Sequence, residues 1–213
     1  MKNVIFLGPP GCGKGTQAEL LSSALGYIKV STGDLLRNIA KQKNALGDKI
    51  QAILTQGILV SDDIVNQLID DFYKESSLAK GIILDGYPRS IAQAKSLELI
   101  LKKYNTKIEV VFYFDLPEDI LVKRITGRYT CNGCGAIYNS FFSNTKLPGK
   151  CDKCNSSDFN RRSDDSEAII VERLKVFKNS TEPLLEYYRD RLIKLNANQA
   201  AELLSKQLIE KLQ

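Results

Sequence analysis

The chain has 213 residues, which is enough for one large domain or for a core with small inserted lobes, and too many for a small disulfide-stapled scaffold. Its formal net charge of +5 and its charged fraction of 26% are ordinary, so we expect neither a dedicated nucleic-acid-binding protein nor a membrane-surface protein. Histidine is absent, which excludes Ser/His and Cys/His nucleophilic schemes.

The N-terminal residues show no targeting signal. The chain passes from Met1 and Lys2 into an apolar run without the pattern of a cleavable signal peptide, and no apolar run reaches the length of a membrane span. Four of the five cysteines occur in two CxxC pairs, which suits a reducing compartment better than a secreted disulfide framework. We therefore expect a cytoplasmic protein.

Residues 3–21, NVIFLGPPGCGKGTQAELL, predict a strand, a glycine-rich loop and a helix. Glycines let backbone N–H groups turn inward around an anion, the helix adds its positive end, and Lys14 adds a full charge. The spacing matches the phosphate-binding signature GxxxxGK[ST], except that Gly15 stands where Ser or Thr is expected and Thr16 follows one place later. An ordinary strand-to-helix turn is the alternative, but the lysine, the strand and the helix together favour phosphate binding.

The next stretch predicts a small helical lobe. A short strand over residues 27–30 leads to a polar turn at 31–34, a helix that carries Leu35, Leu36 and Ile39, and a second helix over 46–56. Residues 61–63, Ser-Asp-Asp, are expected to cap a further helix over 64–73. Continuous core is the alternative to a separate lobe at 31–60.

Two more strands and two more helices follow in alternation. Residues 81–85, GIILD, contain too few polar positions for a half-exposed edge, which predicts a buried parallel strand that ends in Asp85. P-loop enzymes place a carboxylate there to hold Mg²⁺; a helix N-cap is the alternative. A helix over 91–104, a strand over 108–116 and a helix from Pro117 to residue 125 come next.

From residue 127 to about 164 the periodicity disappears, which indicates an insertion. Asp164 and Glu167 have the spacing of a capping box and predict a long helix through about residue 188, followed by a strand at 192–195 and a helix at 200–212. Five strands that alternate with helices predict a parallel α/β sheet whose ligands bind at the carboxyl ends of the strands.

The insertion carries four cysteines in a specific spacing. Cys131 and Cys134 form one CxxC pair and Cys151 and Cys154 form another, sixteen residues apart, which fits a closed, structural Zn²⁺ site. A disulfide within each pair is the alternative. The segment has almost no apolar core of its own, so a metal would supply much of its folding energy. Cys12 remains as a small side chain within the loop.

Arginines are frequent near the expected cleft. A single arginine is most often a solvated surface charge. As a set, however, these arginines lie at strand ends, at helix starts and at both boundaries of the insertion, where they would converge on phosphate oxygens. They are Arg37, Arg89, Arg124, Arg128, Arg162 and Arg173.

Several motifs together resemble the adenylate kinase family, in its long, zinc-bearing bacterial form. These are GPPGCGKGT, STGDLLR (31–37), LDGYPR (84–89), GRY (127–129), the four-cysteine insert and NRRSDD (160–165). The resemblance covers essentially the whole chain, and GKGT is the form of the loop in this family. It implies the reaction ATP + AMP ⇌ 2 ADP with Mg²⁺ on a five-stranded parallel sheet flanked by helices.

The resemblance also implies a domain division. Residues 1–30, 61–126 and 165–213 would form the core, residues 31–60 an NMP-binding lobe, and residues 127–164 a lid with zinc knuckles. Hinges are expected at Gly127 and near Ser163. We further expect a monomer that binds ATP, AMP and ADP, with no nucleic-acid or membrane partner.

Residue roles are implied in the same way. ATP would contact Gly11, Cys12, Gly13, Lys14, Gly15, Thr16, Arg128, Ile137, Tyr138 and Gln199. AMP would contact Thr32, Arg37, Ile58, Leu59, Val60, Gly86, Tyr87, Pro88, Arg89, Gln93, Arg162 and Arg173. Catalysis would depend on Lys14, Asp85, Arg89, Arg124, Arg128, Arg162 and Arg173, with Arg124 as a phosphate ligand.

The chemistry explains the missing histidine. An AMP phosphate oxygen is already an anion at neutral pH, so positioning and charge stabilisation suffice, provided that a lid excludes water. A zinc-ribbon nucleic-acid binder is the alternative from another class, but it leaves the P-loop and Asp85 unexplained. A P-loop GTPase would need an NKxD motif, which is absent. A UMP or CMP kinase is the nearer alternative.

Overall fold

The computed structural model describes residues 1–76, 79–162 and 164–212. Its centre is a five-stranded parallel sheet in the order β2-β3-β1-β4-β8, which confirms the predicted α/β class. The strands of this sheet are β1 (Lys2–Leu7), β2 (Ile28–Ser31), β3 (Gly81–Asp85), β4 (Ile108–Asp115) and β8 (Leu192–Asn196). Their bounds lie within two residues of the predicted ones.

Helices cover both faces of this sheet. They are α1 (Lys14–Leu25), α2 (Thr32–Ala40), α3 (Ala45–Thr55), α4 (Asp62–Glu75), α5 (Ile91–Lys103), α6 (Glu118–Thr126), α7 (Glu167–Val176), α8 (Leu184–Tyr187) and α9 (Ala201–Leu212). A π-helical turn (Phe177–Thr181) and a 3₁₀ turn (Arg189–Arg191) complete the set. Within the described residues, no helix combines the length and the apolar character needed to cross a membrane.

Two hydrophobic cores hold the helices on the sheet. Neighbouring residues of β1 point to opposite faces, so Ile5 belongs to the core on one side and Phe6 to the core on the other, and both are fully buried. Ile82 and Ile83 of β3 divide in the same way. A strand buried on both faces needs a continuous apolar run, which is why GIILD forms an inner strand.

The carboxyl ends of the strands meet at one edge. In the parallel register Asp85 lies beside both Phe6 and Ser31, and Asp115 lies beside Asn196. Because β1 has β3 on one side and β4 on the other, the loop that leaves β1 opens at the middle of this edge. Residues 31–60, with α2 and α3, and residues 127–164 extend from the same edge.

The second of these segments, which we call the cysteine segment (residues 127–164), has more structure than its sequence predicts. It contains the strands β5 (Arg128–Cys131), β6 (Ile137–Asn139) and β7 (Phe159–Asn160), which form an antiparallel sheet in the order β6-β5-β7. The hinge expected near Ser163 lies outside the described residues.

One expected helix cap is wrong, and a second has the expected residue but lacks its side-chain hydrogen bond. Ser166, not Asp164, precedes α7, and the Asp164 carboxylate instead pairs with Arg173 at 3.0 Å. Ser61 makes no side-chain cap at α4, although Asp62 and Asp63 lie in its first turn.

The long helix expected through residue 188 is interrupted. Glu182 N–H donates to Phe177 O at 2.9 Å, an i to i−5 bond that is typical of a π-helical turn. Pro183 follows directly and lacks the N–H that an uninterrupted helix needs. The chain therefore resumes as the separate short helix α8.

Candidate active site

A cleft of about 1400 Å³ opens at the carboxyl edge of the sheet. The glycine loop after β1, the segment 31–60 and the cysteine segment all line it. The predicted arginines Arg37, Arg89, Arg124, Arg128, Arg162 and Arg173 line the same cleft. The structure thus brings residues from distant parts of the sequence to one place.

The glycine loop presents its backbone to the cleft. Gly13 precedes α1 with φ of +99°, in the left-handed region that favours glycine, and no side chain caps the helix. The N–H groups of the first turn are therefore available to an anion, and the helix dipole favours negative charge there. Gly11 packs tightly, since a Cβ at that position would lie 2.6 Å from Ile125 Cγ1.

Lys14 begins α1 and holds its ammonium across the loop. Its Nζ donates to Gly8 O at 2.7 Å and to Pro9 O at 2.9 Å. The positive charge is thus placed beside the loop amides, which is the arrangement that binds phosphate. Cys12 lies beneath the loop with its side chain fully buried in the core, where its Sγ lies 3.4 Å from Lys14 Nζ.

Asp85 faces the beginning of α1. A Cβ built on Gly15 would lie 3.5 Å from Asp85 Oδ2, so a glycine here leaves the carboxylate close to the helix backbone. Within the described part of the chain, Asp85 forms no ion pair within 4 Å, although Arg89 lies near enough for their charges to interact. A carboxylate in this position has the oxygen donors that Mg²⁺ prefers. Thr16 is exposed on the next position of the helix.

The arginines crowd one another in the cleft. Burial, followed by the charges of Arg173 and Arg37, lowers the pKa of Arg89 to about 10. Burial, followed by the charges of Arg128 and Arg37, likewise lowers the pKa of Arg162 to about 10. Both remain protonated at neutral pH, and an anion placed between them relieves the repulsion that lowers these values. The cluster is therefore suited to a highly charged phosphate ligand.

Three carboxylates orient this cluster, and no motif in the sequence predicts this role for them. Asp165 accepts hydrogen bonds from Arg128 Nε at 2.8 Å and Nη2 at 2.5 Å, and from Arg173 Nη1 at 3.2 Å. Asp34 pairs with Arg37 at 2.6 Å, an i,i+3 spacing on α2 that could have indicated the pair. Asp164 was assigned to a helix cap instead.

Arg124 lies apart from the other arginines. Its Nη2 donates to Ala197 O at 3.2 Å and its Nη1 approaches Cys12 O at 3.5 Å, so it spans from the glycine loop to the loop before α9. Its guanidinium lies over the Phe142 ring, 5.8 Å from the centroid. Phe142 is half exposed and lines the cleft, yet no motif in the sequence identified it. A planar cation opposite a ring is suited to an aromatic base.

The other side of the cleft is built around the loop after β3. Thr32 Oγ1 and Arg89 Nε both donate to Gly86 O at 2.8 Å, which fixes the arginine beside the start of α2. Tyr87 is fully buried and donates to Asn66 Oδ1 at 2.6 Å, so its side chain faces the core and not the cleft. The remaining residues expected here do line the cleft: Ile58, Leu59, Val60, Pro88 and Gln93.

The π-helical turn also contributes to this side. It places Thr181 against the loop after β3, and Thr181 Oγ1 donates to Arg89 O at 3.0 Å. Arg173 lies on α7, directly before the same turn. The interruption of the long helix thus connects α7 to the backbone that carries Arg89.

The four cysteines of the cysteine segment form one cluster, and none is in a disulfide, so that alternative is wrong. All four Sγ atoms lie within 4.8 Å of one another, with 3.5 Å between Cys131 and Cys154 and between Cys134 and Cys151. A tetrahedral Zn²⁺ with Zn–S bonds of about 2.3 Å needs sulfur atoms about 3.8 Å apart. The donor set and its spacing therefore fit zinc.

A small aromatic core supports this cluster, although the sequence of this segment predicts almost no apolar core. Tyr129 and Tyr138 stack at 5.6 Å, and Phe159 packs edge-on against both. Tyr138 OH lies 3.3 Å from Cys151 Sγ and accepts a hydrogen bond from Asp152 N–H at 2.8 Å. The Tyr138 hydroxyl thus belongs to the cysteine cluster, and Ile137, Tyr138 and Gln199 all line the cleft.

Known proteins resemble this chain over most of its length. The sequence model of the family described as adenylate kinase matches residues 6–193. The adenylate kinase of Thermosipho melanesiensis is 45% identical over 187 residues, which cover 88% of this chain and 87% of that protein. The adenylate kinases of Archaeoglobus fulgidus and Rickettsia africae are 44% and 43% identical, over 89% and 88% of this chain and 87% and 86% of those proteins. The range matched by the family model spans the glycine loop, the six arginines and the cysteine segment.

Proposed function

This chain belongs to the adenylate kinase family, whose reaction is the reversible transfer of a phosphoryl group from ATP to AMP, and we propose that the cleft at the carboxyl edge of the sheet performs it. One observation carries the assignment of the site: the Lys14 loop faces, across a single cleft, a cluster of arginines from α2, the loop after β3, the cysteine segment and α7. A phosphoryl group passing between two nucleotides needs positive charge on both sides of it, and this arrangement supplies it.

ATP binds on the side of the glycine loop. The backbone of Gly11, Gly13 and Gly15 and the Lys14 ammonium hold its phosphates, with Cys12 and Thr16 completing the loop. Arg128 contacts the same phosphates from the cysteine segment. The adenine lies toward Ile137, Gln199 and the backbone of Tyr138, where the Arg124 guanidinium and the Phe142 ring face each other at 5.8 Å. In this proposal Arg124 contacts the adenine base of ATP, whereas the sequence resemblance implies that it is a phosphate ligand.

AMP binds on the side of the loop after β3. Thr32, Gly86, Arg89 and Gln93 are joined by hydrogen bonds into one wall, which supports a common role in holding this nucleotide. Its phosphate is bound by Arg37, Arg89, Arg162 and Arg173. Its base packs on the apolar residues Ile58, Leu59 and Val60, with the backbone of Tyr87 and Pro88 beside it.

The chemistry consists of positioning and charge stabilisation. A phosphate oxygen of AMP attacks the terminal phosphorus of ATP, and the proton content of the site does not change because the nucleophile is already an anion. Lys14, Arg89, Arg162 and Arg173 stabilise the charge that moves between the two nucleotides. Mg²⁺, which enzymes of this family use with ATP, would be held near the Asp85 carboxylate and would neutralise phosphate charge.

The domain division follows the same logic. Residues 1–30, 61–126 and 165–213 form the core, residues 31–60 the NMP-binding lobe, and residues 127–164 the lid. Arg162 Nη2 lies 3.7 Å from Asp34 Oδ1, so a guanidinium of the lid forms an ion pair with a carboxylate of the NMP-binding lobe. Closure of both lobes excludes water, which would otherwise compete with AMP for the phosphoryl group.

The lid holds a structural zinc ion through Cys131, Cys134, Cys151 and Cys154. Four protein ligands leave no open coordination position, so the metal stabilises the lid and takes no part in the reaction. Thiolates that must stay reduced for a metal support the cytoplasmic location. Apart from Phe141, Phe142 and Leu147 between β6 and β7, the exposed large apolar side chains of the described residues lie on separate parts of the chain, which supports a monomer without a membrane partner.

A substitution pair tests the assignment of the site. Arg162→Lys keeps the charge but loses the planar fork that binds two phosphate oxygens, so kcat for ADP formation from ATP and AMP should fall by roughly tenfold or more. The matched control is Arg161→Lys, the same change at the preceding residue, whose Nη1 donates to the Thr126 carbonyl at 2.8 Å. Equal rates for both variants would contradict the role of Arg162.

A further inference from the structure

The carboxamide of Gln93 is held at both of its ends. Its Oε1 accepts a hydrogen bond from the backbone N–H of Arg89 at 2.7 Å, and its Nε2 donates to Asp62 Oδ1 at 2.7 Å. Gln93 is only 2% exposed, yet it lines the cleft. Two short hydrogen bonds on a nearly buried side chain leave it no alternative rotamer at low cost.

The two partners also fix the orientation of the Gln93 carboxamide. A backbone N–H can only donate, so the oxygen must face Arg89, and an ionised carboxylate can only accept, so the nitrogen must face Asp62. The reversed amide would place N–H against N–H at Arg89 and oxygen against oxygen at Asp62. Asp62, at the first position of α4, is thus one half of a lock on the orientation of Gln93.

The locked amide retains one acceptor position on Oε1 and one donor position on Nε2. Adenine matches this pair, because its N6 amino group donates and the adjacent ring nitrogen accepts. Cytosine has the same order of donor and acceptor. The corresponding edges of guanine and uracil carry a carbonyl oxygen beside an N–H group, which is the reversed order and would require the reversed amide.

We propose that Asp62 determines base specificity by locking the Gln93 carboxamide in the orientation that accepts an amino-bearing base and rejects guanine and uracil. The inference rests on the proposed function, in which Gln93 contacts the base of AMP. The fixed amide excludes GMP and UMP because their donors and acceptors are in the reversed order. CMP has the same order as AMP, so the site distinguishes it from AMP only by the size of its ring. Asp62 acts through Gln93 and is a positioning residue.

The test compares Asp62→Asn with wild type for four acceptors. The side chain introduced by Asp62→Asn can accept a hydrogen bond from Gln93 Nε2 or donate one to Gln93 Oε1. The reversed amide of Gln93 then no longer places oxygen against oxygen at residue 62, and only the N–H contact at Arg89 remains unfavourable. The ratios of kcat/KM for GMP and for UMP to that for AMP should each rise about tenfold, while the CMP-to-AMP ratio stays unchanged. A merely structural defect would lower kcat/KM for all acceptors together. Unchanged GMP and UMP ratios would overturn the lock.

Two further variants make the outcome specific. Asp63→Asn removes the same charge from the exposed neighbouring residue of α4 and should leave all four ratios as in wild type. Gln93→Leu removes the carboxamide. If Gln93→Leu leaves the preference for AMP over GMP intact, the proposed contact of Gln93 with the base fails. If Gln93→Leu abolishes that preference but Asp62→Asn does not change it, the contact stands and the lock is wrong.

Discussion

Arg128 and Asp165 join the two chain ends of the cysteine segment. The guanidinium at the start of β5 donates two hydrogen bonds, at 2.8 and 2.5 Å, to a carboxylate that follows the last residue of this segment. The two side chains are only 16% and 5% exposed, so the pair is largely shielded from water. This geometry connects the two ends of the cysteine segment and orients an arginine that we propose binds ATP.

Asp165→Asn should therefore destabilise the protein. Loss of the charge leaves the buried guanidinium without its main partner, which should cost about 2–3 kcal/mol and lower the thermal midpoint by roughly 5–10 °C. Asp190→Asn is the control, because Asp190 is 90% exposed and its Arg189 contact is long, at 3.7 Å. Calorimetry of both variants checks the prediction, and equal midpoints for them would contradict it.

Lys14→Met should reduce catalysis without disturbing the fold. Lys14 is the full positive charge within the phosphate loop, and its loss should remove about 3–5 kcal/mol of transition-state stabilisation, a fall in kcat of roughly 10²- to 10⁴-fold. Lys95→Met, an identical change at an exposed position of α5, should retain the wild-type rate. A Lys14→Met rate near that of wild type, measured as ADP formation, would refute the assigned role.

The Asp164 carboxylate predicts a pH dependence. Burial alone would raise its pKa, but the charges of Arg173, then Arg37, Arg128 and Arg162, outweigh burial and lower it. Because the pKa is lower in the folded than in the unfolded state, the carboxylate stabilises the fold above about pH 4, and this contribution is lost as the pH falls through the folded-state pKa.

Urea denaturation of wild type and Asp164→Asn measures this contribution. The difference between their free energies of unfolding should be largest near pH 7 and should shrink as the pH falls below about 4. Any loss of metal at low pH affects both proteins and cancels in the difference. A difference that stays constant down to pH 3 would show that Asp164 does not titrate as proposed.

Zinc binding predicts both a metal content and a stability effect. Protein purified without chelator should contain about one zinc ion per chain, and removal of the metal should lower the thermal midpoint, chiefly through the lid. Cys134→Ser should lose the zinc, whereas Cys12→Ser, a cysteine outside the cluster, should retain it. Atomic emission spectroscopy measures the zinc content of each protein, and wild-type protein without zinc would contradict the proposed zinc site.

The phosphate loop and the cysteine cluster could be predicted because their signals are local. In the first case the glycines and Lys14 lie within a few consecutive residues, and the geometry depends mainly on backbone freedom. In the second, each CxxC pair forms its own turn, in which Gly135 N–H donates to Cys131 O and Asn155 N–H donates to Cys151 O. Spacing along the chain is enough to identify such sites.

The partners of the arginines and of Gln93 could not be predicted in this way. Gln93 and Asp62 are 31 residues apart and meet only because α4 and α5 pack side by side. Asp164 has the local spacing of a helix cap, but its carboxylate pairs with Arg173 in the folded chain, so a tertiary contact overrides the local pattern. The π-helical turn likewise depends on Pro183 and on the contact of Thr181 with Arg89.

The most direct test of the account measures the acceptor preference of the purified protein. ATP and Mg²⁺ are mixed in turn with AMP, CMP, UMP and GMP, and the diphosphate products are quantified. We predict that AMP has the highest kcat/KM, by about tenfold or more over each of the others, and yields two ADP for each ATP and AMP consumed. Faster phosphorylation of CMP or UMP than of AMP, or no ADP at all, would contradict the account.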